Sequence, residues 1–140
     1  AHGWDVLWYE DPGLSAKVKG VVTADLTALS QGSGDVEGLA TPVMVRMMEA
    51  AAIKAVEGEL APGMTSVGTR VEITHVAPTP VGMEVTAQAT LLEIEGRLLV
   101  FSVTAEDQSG VIGKGTHQRV IVDKENFANR IAARWTAGQA

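Results

Sequence analysis

Residues 39–57 are apolar around most of a helical circumference, and this stretch constrains the fold more than any other feature. Between residues 43 and 54 the only charged side chains are Arg46, Glu49 and Lys54. A helix with so narrow a polar face is normally buried. We therefore expect residues 39–57 to form a central helix that the rest of the chain surrounds.

The ends of this predicted helix carry recognisable signals. Thr41 suits the N-cap, because its hydroxyl can accept a hydrogen bond from an unpaired backbone N–H. Pro42 suits the first helical position, which needs no N–H, and Gly58 suits the C-terminus. Glu49 has no such explanation, since it lies in the middle of the apolar run. We regard Glu49 as the first candidate functional residue.

The chain has 140 residues and a hydrophobic content of 46%, which predicts one domain that buries a single core. We assign residues 1–140 to this domain and treat residues 1–14 as an aromatic lead-in that covers one end of the core. The lead-in contains two tryptophans and a tyrosine, and residues 1–3 could be left over from expression.

The formal charge of −6, with eleven scattered basic residues, argues against nucleic acid as the main partner. The sequence contains no cysteine, which excludes disulfides and thiolate metal sites and is compatible with a cytoplasmic protein. The sequence also lacks an apolar run of about 18 residues, so no membrane span is expected. The three histidines have no repeated spacing, and no glycine-rich loop matches a nucleotide-binding motif, so we expect neither a metal nor a redox cofactor.

The remaining elements follow from alternation of apolar and polar residues and from turn residues between the runs. The small and polar residues of segment 30–38 predict a loop, which could act as a lid beside the central helix. The predicted strands span residues 16–22, 65–76, 83–94, 97–107 and 111–122, and an amphipathic helix with Asp123 as its cap closes the chain over residues 123–136.

These elements predict an α+β fold in which the long apolar helix lies across a curved antiparallel sheet. The four strands after the helix are expected to form a meander. Such a sheet has two edges and one uncovered face, so we expect a homodimer or a dimer of dimers.

His75 and Glu49 are the best candidates for chemistry, with Thr41 as a third. His75 shares strand parity with Val71 and Ile73, so it should face the helix if they do, and there it could meet Glu49. Thr41 and Glu49 are roughly 12 Å apart along the helix, so a bridging histidine, a substrate or a second subunit must unite them. The set is typical of a nucleophile or water, a base and an orienting carboxylate.

Structural explanations exist for each of these residues. Thr41 could simply cap the helix, His75 could be a hydrogen-bonded structural histidine, and Glu49 could pair with Arg46 or a buried partner. His117 and Arg119 share a face of the last strand and could belong to an ordinary polar stripe. Three glycines could mark bulges or close backbone contacts, namely Gly68, Gly113 and Gly115.

Several motifs between Leu39 and Phe127 resemble, with their spacing kept, the fluoroacetyl-CoA thioesterase group of hot-dog fold proteins. They are Thr41-Pro-Val-Met-Val-Arg-Met-Met-Glu49, Ser66-Val-Gly68-Thr, Ile73-Thr-His75, Pro80-Val-Gly82-Met and Gly113-Lys-Gly115-Thr-His117-Gln-Arg119. One departure is that residues 28–40 contain no aromatic residue, whereas the fluoroacetyl enzyme of this group has a phenylalanine in its lid.

The resemblance implies a hot-dog dimer with its active sites at the subunit interface. It implies a catalytic set of Thr41, Glu49 and His75, with Gly68 near the thioester carbonyl and Arg119 in a supporting, substrate-binding role. The implied function is hydrolysis of a short-chain, including a halogenated, acyl-CoA thioester, with CoA entering only as part of the substrate. A non-catalytic acyl-CoA-binding module and a hot-dog enoyl-CoA hydratase are the alternatives.

Overall fold

The computed structural model describes residues 13–139, so nearly all of the predicted aromatic lead-in lies outside the described residues. All five predicted strands and both predicted helices are present, with small shifts at their ends. The strands are β1 Ser15–Val21, β2 Met64–His75, β3 Glu84–Glu95, β4 Leu98–Asp107 and β5 Gly110–Asp123, and the helices are α1 Ala28–Gln31, α2 Thr41–Ala55 and α3 Lys124–Gln139. Helix α1 and the short 3-10 helix Ala24–Leu26 that precedes it were not predicted from the sequence.

The five strands form one antiparallel sheet in the order β1-β3-β4-β5-β2. The predicted four-strand meander is wrong, because β2 pairs with β5 and not with β3. Two-residue links join β3 to β4 and β4 to β5, whereas residues 76–83 separate β2 from β3. This longer connection lets the chain cross to the far side of the sheet before β3 begins. As a result, β2 is an edge strand.

The core lies between α2 and the inner face of the sheet. Alternate residues of β3 are fully buried there, as their alternation predicts, and two of them are alanines, so α2 can approach closely. Gly113 of β5 permits the same approach, since a Cβ atom there would lie 2.6 Å from the sulfur of Met44. The buried residues of α2 are Val43, Met44, Met48, Ala51, Ala52 and Ala55.

The prediction that the apolar helix is buried all round is wrong for the described chain. Ile53 is 50% exposed, and Arg46 and Ala50 on the same side of α2 are also exposed. The five-stranded sheet can cover only one side of the helix. An apolar strip of α2 that includes Ala50 and Ile53 therefore remains open.

The outer face of the sheet is mostly polar over the middle of β3, β4 and β5, although Leu98, Val100 and Val120 on the same face are apolar and half-buried. Its side chains are half-buried or exposed and include Thr86, Gln88, Thr90, Ser102, Thr104, Thr116 and Gln118. Burying these hydroxyls and amides against another protein would cost free energy unless each found a partner. The edge strand β2 and the open strip of α2 are therefore better suited to self-association than the sheet's outer face.

Helix α3 begins with the predicted cap, since the Asp123 carboxylate accepts a hydrogen bond from the Asn126 N–H at 2.9 Å. It does not cover the core, because Ile131 and Trp135 on its apolar face are 61% and 74% exposed. None of the described helices has the length and hydropathy needed to span a bilayer.

Candidate functional site

A cavity of about 370 Å³ lies where the start of α2 meets the end of β2. The predicted lid segment forms one of its walls, with Ser33, Asp35 and Val36 lining the space. Backbone pairing fixes the C-terminal end of this segment, where Gly38 pairs with Pro80 and the following Leu39 pairs with Thr27. Thr41 and His75 both line this cavity.

Thr41 and His75 are in direct contact, with Thr41 Oγ1 2.7 Å from His75 Nδ1. The prediction that Thr41 is the N-cap is wrong. Ala40 occupies that position and makes no side-chain capping bond, while Thr41 is the first residue of the helix. Its hydroxyl contacts the imidazole of His75. Strand parity predicted that His75 faces the helix, and the contact with a helix residue agrees with that prediction.

The environment of His75 favours a neutral imidazole. Burial lowers its pKa, and the backbone of Ala77 opposes this shift only in part. Its Nε2 atom is buried and makes no hydrogen bond to the described residues. A neutral ring with its proton on Nε2 leaves Nδ1 free to accept the hydrogen of the Thr41 hydroxyl. This arrangement can transfer a proton from the hydroxyl to the imidazole.

Glu49, Ser66 and Arg119 form a second cluster. Arg119 is 5% exposed, and it donates from Nε to Ser66 Oγ at 2.8 Å and from Nη2 to the Ser66 carbonyl at 2.9 Å. Its Nη1 lies 3.7 Å from Glu49 Oε2. Arg119 is therefore the buried partner of Glu49, which was one of the two alternatives considered from the sequence. At the same time, 40% of the side-chain surface of Glu49 stays exposed. A carboxylate that has one oxygen near Arg119 and keeps part of its surface exposed can still reach another molecule.

His117 belongs to this cluster, although the sequence alone suggested only that it was part of a polar stripe. It is 1% exposed, stacks on Phe101 with 6.3 Å between ring centroids, and donates from Nδ1 to the Arg70 carbonyl at 2.8 Å. Its Nε2 lies 3.2 Å from Arg119 Nη1. The shared face of residues 117 and 119 was the available signal, but strand parity does not reveal which partner such residues meet.

Gly68 lies at the centre of the second cluster, just before a register shift in β2. A Cβ atom at this position would lie 3.1 Å from Glu49 Oε2, 3.3 Å from His117 Cε1 and 3.4 Å from Arg119 Nη1. A larger residue would therefore push the three side chains apart. Both structural explanations for this glycine, a bulge and a close contact, are confirmed.

The described chain thus brings its candidate residues together as two groups, not one. Thr41 and His75 form the first group, and Glu49, Gly68 and Arg119 form the second. Within the described residues Glu49 contacts Arg119 and not His75. No group of three or more His, Asp or Glu residues in this part of the chain is placed to hold a metal ion.

A five-stranded antiparallel sheet that packs on one long apolar helix is the arrangement of the hot-dog fold, and the Thr41–His75 pair gives this fold a candidate active site of the kind found in hydrolases. The sequence model of the fluoroacetyl-CoA-specific thioesterase family matches residues 22–125, and the chain belongs to that family. The chain is 41% identical over 102 residues to the fluoroacetyl-CoA thioesterase of Streptantibioticus cattleyicolor, a match that covers 73% of each protein.

Two solved structures agree with this assignment. One is a threonine-to-alanine mutant of the fluoroacetyl-CoA thioesterase FlK in complex with fluoroacetate, which is 33% identical with a TM-score of 0.82 and covers 89% of this chain and 98% of that one. The other is a hot-dog-like protein from Thermanaerovibrio acidaminovorans, which is 27% identical with a TM-score of 0.80 and covers 88% of this chain and 91% of that one.

Proposed function

We propose that this protein hydrolyses a short-chain acyl-CoA thioester to the free acid and CoA. The observation that carries the proposal is the 2.7 Å contact between Thr41 Oγ1 and His75 Nδ1 in a cavity of about 370 Å³. Membership of the thioesterase family supports the reaction class. The fluoroacetyl-CoA thioesterases among its relatives support a small acyl group, and haloacetyl groups are among the candidates. The absence of cysteine is compatible with a cytoplasmic enzyme.

In the proposed mechanism His75 is first a general base and then a general acid. It removes a proton from the Thr41 hydroxyl, or from a water held by that hydroxyl, as the oxygen attacks the thioester carbonyl. The C–S bond then breaks, and the imidazolium returns the proton to the departing thiolate. Where water is the nucleophile this step releases the acid; where Thr41 is the nucleophile, His75 next activates a water that hydrolyses the acyl–Thr41 ester and releases the acid. Glu49 orients the imidazole or the attacking water. The backbone N–H of Gly68 stabilises the oxyanion, an effect often worth a few kcal/mol.

We further propose that the complete site forms between two subunits of a homodimer. The edge strand β2 carries His75 at one end and the Gly68 cluster nearer the other. When two identical edge strands pair antiparallel about a two-fold axis, the end of each strand lies beside the start of its partner. Such pairing would place the Glu49 cluster of one subunit close to the Thr41–His75 pair of the other. A second copy could also cover the open strip of α2.

Sedimentation or light scattering should accordingly give at least twice the 14.7 kDa mass of the chain at micromolar concentration. Replacing Val71, which is 41% exposed on the edge strand, with arginine should weaken the association. Lys19→Ala on the opposite edge strand β1 is the matched control and should leave the mass unchanged. A monomeric wild type would contradict the proposed interface.

Turnover tests the function directly. Acetyl-, propionyl-, butyryl- and fluoroacetyl-CoA should be assayed with detection of both free CoA and the acid. Hydrolysis of at least one of them above background is the expected result. Tight binding without turnover would instead indicate a binding module, and hydration of an enoyl-CoA would indicate a hydratase.

The Thr41 hydroxyl should be needed for catalysis and not for helix stability. Thr41→Ser should keep most of the activity, whereas Thr41→Ala should lower kcat at least about 10-fold, and as much as loss of His75 does if the hydroxyl is the nucleophile. The melting temperature of the alanine variant should change little, because Thr41 makes no capping bond. A loss of stability with normal kcat would show a structural role.

The activity should persist at mildly acidic pH. The base must be neutral to accept a proton, and burial lowers the pKa of His75, so the neutral form survives to lower pH than in an exposed histidine. We expect kcat/KM to stay on its plateau down to about pH 6.5, the ordinary histidine pKa, and to fall only below it. Asp35 lines the same cavity, so Asp35→Asn is the control for its charge. An acidic limb above pH 6.5 in both proteins would contradict this role for His75.

A further inference from the structure

We propose that His117 is a positioning residue, which holds Glu49 in place for catalysis by fixing the side chain of Arg119. The proposal rests on the proposed thioesterase function, because it assigns Glu49 to that reaction. His117 itself is 1% exposed and is enclosed by protein, so it acts through its neighbours.

The hydrogen bonds of His117 determine which ring nitrogen carries the proton. Nδ1 lies 2.8 Å from the Arg70 carbonyl, which can only accept, so Nδ1 must be the donor. Nε2 lies 3.2 Å from Arg119 Nη1, which can only donate. The single arrangement that satisfies both contacts is a neutral ring with its proton on Nδ1. The Arg70 carbonyl, just after the register shift in β2, selects that tautomer.

The charged groups around His117 also favour the neutral ring. Burial lowers its pKa, and the cationic Arg119 on the same strand lowers it further. The Arg70 carbonyl from β2 and the Glu49 carboxylate from α2 act in the opposite direction, and the net pKa is lowered. From β4 the uncharged Phe101 stacks on the ring. A neutral ring keeps Nε2 available as an acceptor.

Arg119 is held by three acceptors, and His117 supplies the one that matters for Glu49. Its Nε and Nη2 are bound to the side chain and the carbonyl of Ser66. Its Nη1 donates to His117 Nε2 and is also the atom that lies 3.7 Å from Glu49 Oε2. The acceptor on His117 binds the nitrogen that faces Glu49 directly, and together with the two bonds to Ser66 it fixes the plane of the rigid guanidinium and the position of that nitrogen. Since Glu49 is otherwise partly exposed, this contact limits where its carboxylate can lie.

Two substitutions separate the two hydrogen bonds of His117. An asparagine amide reaches the position of Nδ1, so His117→Asn keeps a donor for the Arg70 carbonyl and removes the acceptor for Arg119. A glutamine amide reaches the position of Nε2, so His117→Gln keeps the acceptor and removes the bond to Arg70. We expect His117→Asn to lower kcat at least about 10-fold with little change in KM, because small displacements of a catalytic group are costly. His117→Gln should stay within about 3-fold of the wild type, since Arg119 keeps its acceptor.

The controls distinguish positioning from stability. Thr116→Ala changes the exposed neighbour on the same strand and should leave kcat unchanged, and melting temperatures should be measured for all three variants. The proposal is overturned if His117→Asn keeps wild-type kcat, or if both His117 variants lose kcat equally. A wild type that hydrolyses no acyl-CoA would instead refute the proposed function.

The tautomer can be checked without any assay of activity. In ¹⁵N-labelled protein the ring nitrogens of His117 should report a neutral imidazole protonated on Nδ1 at about pH 6.5, where an exposed histidine is half protonated. An imidazolium, or a ring protonated on Nε2, would overturn the proposal whatever the protein hydrolyses.

Discussion

Replacing His75 with alanine is expected to lower kcat at least about 100-fold, because general acid–base groups typically contribute 10² to 10⁴. The structure supports this expectation in two ways. Thr41 Oγ1 lies within hydrogen-bonding distance of Nδ1, and burial lowers the pKa of the ring, so the form that accepts a proton is present at neutral pH. Steady-state kinetics with the best acyl-CoA substrate provides the measurement.

The neighbouring Thr74→Ala variant is the matched control, since Thr74 is exposed on the same strand and should retain wild-type kcat. Glu49→Ala should lower kcat by an amount comparable with His75→Ala. Glu49→Gln should be milder only if hydrogen bonding, and not charge, is the main contribution of Glu49. Near-normal turnover in both alanine variants would mean that these residues are structural.

Mixing two inactive variants should restore activity if each site takes residues from both subunits. In a dimer of one His75→Ala and one Glu49→Ala chain, one site receives both wild-type residues and the other receives neither. Random exchange of subunits makes about half of the dimers mixed, so about a quarter of the wild-type activity should return. The parent variants should each show almost none, which makes this a large effect. The measurement is activity after the two proteins are co-refolded, with the mixed dimers verified by mass spectrometry.

A mixture of Thr41→Ala with His75→Ala is the control for this experiment. Both residues belong to the same half of the proposed site and contact each other in one chain. Neither subunit of a mixed dimer therefore has an intact Thr41–His75 pair. Recovery here should be no more than the residual activity of the parents. If verified mixed dimers of the His75 and Glu49 variants stay inactive, the two-subunit site is refuted, while hydrolysis itself is unaffected.

Much of the fold could be predicted because its elements are local. Alternation in β3 and the continuous apolar run of α2 follow from the periods of strands and helices, and both were found where expected. The order of the strands in the sheet could not be predicted from the sequence in the same way. The eight-residue gap before β3 has no turn signature that specifies which neighbour β2 will pair with, and the meander prediction failed at that point.

The candidate site, like the fold, could be predicted from the sequence only in part. Glu49 stood out because a carboxylate within an apolar run needs a reason, and the structure provides one in Arg119. The N-cap prediction for Thr41 failed because threonine followed by proline is compatible with two helix starts that differ by one residue. His117 was missed because its role depends on the Arg70 carbonyl, which lies on another strand beyond a register shift.

The sequence by itself determined the long helices and the strands of this protein and most of the side chains from which a site could be built, because these depend on residues close together in the chain. The tertiary structure decided that these side chains form two separate groups and which residues belong to each. Thr41 meets His75 across 34 positions, and Arg119 meets Ser66 across 53, and such contacts depend on the order of strands in the sheet. Periodicity states which face a side chain is on, but only the packed sheet and helix determine what it touches there.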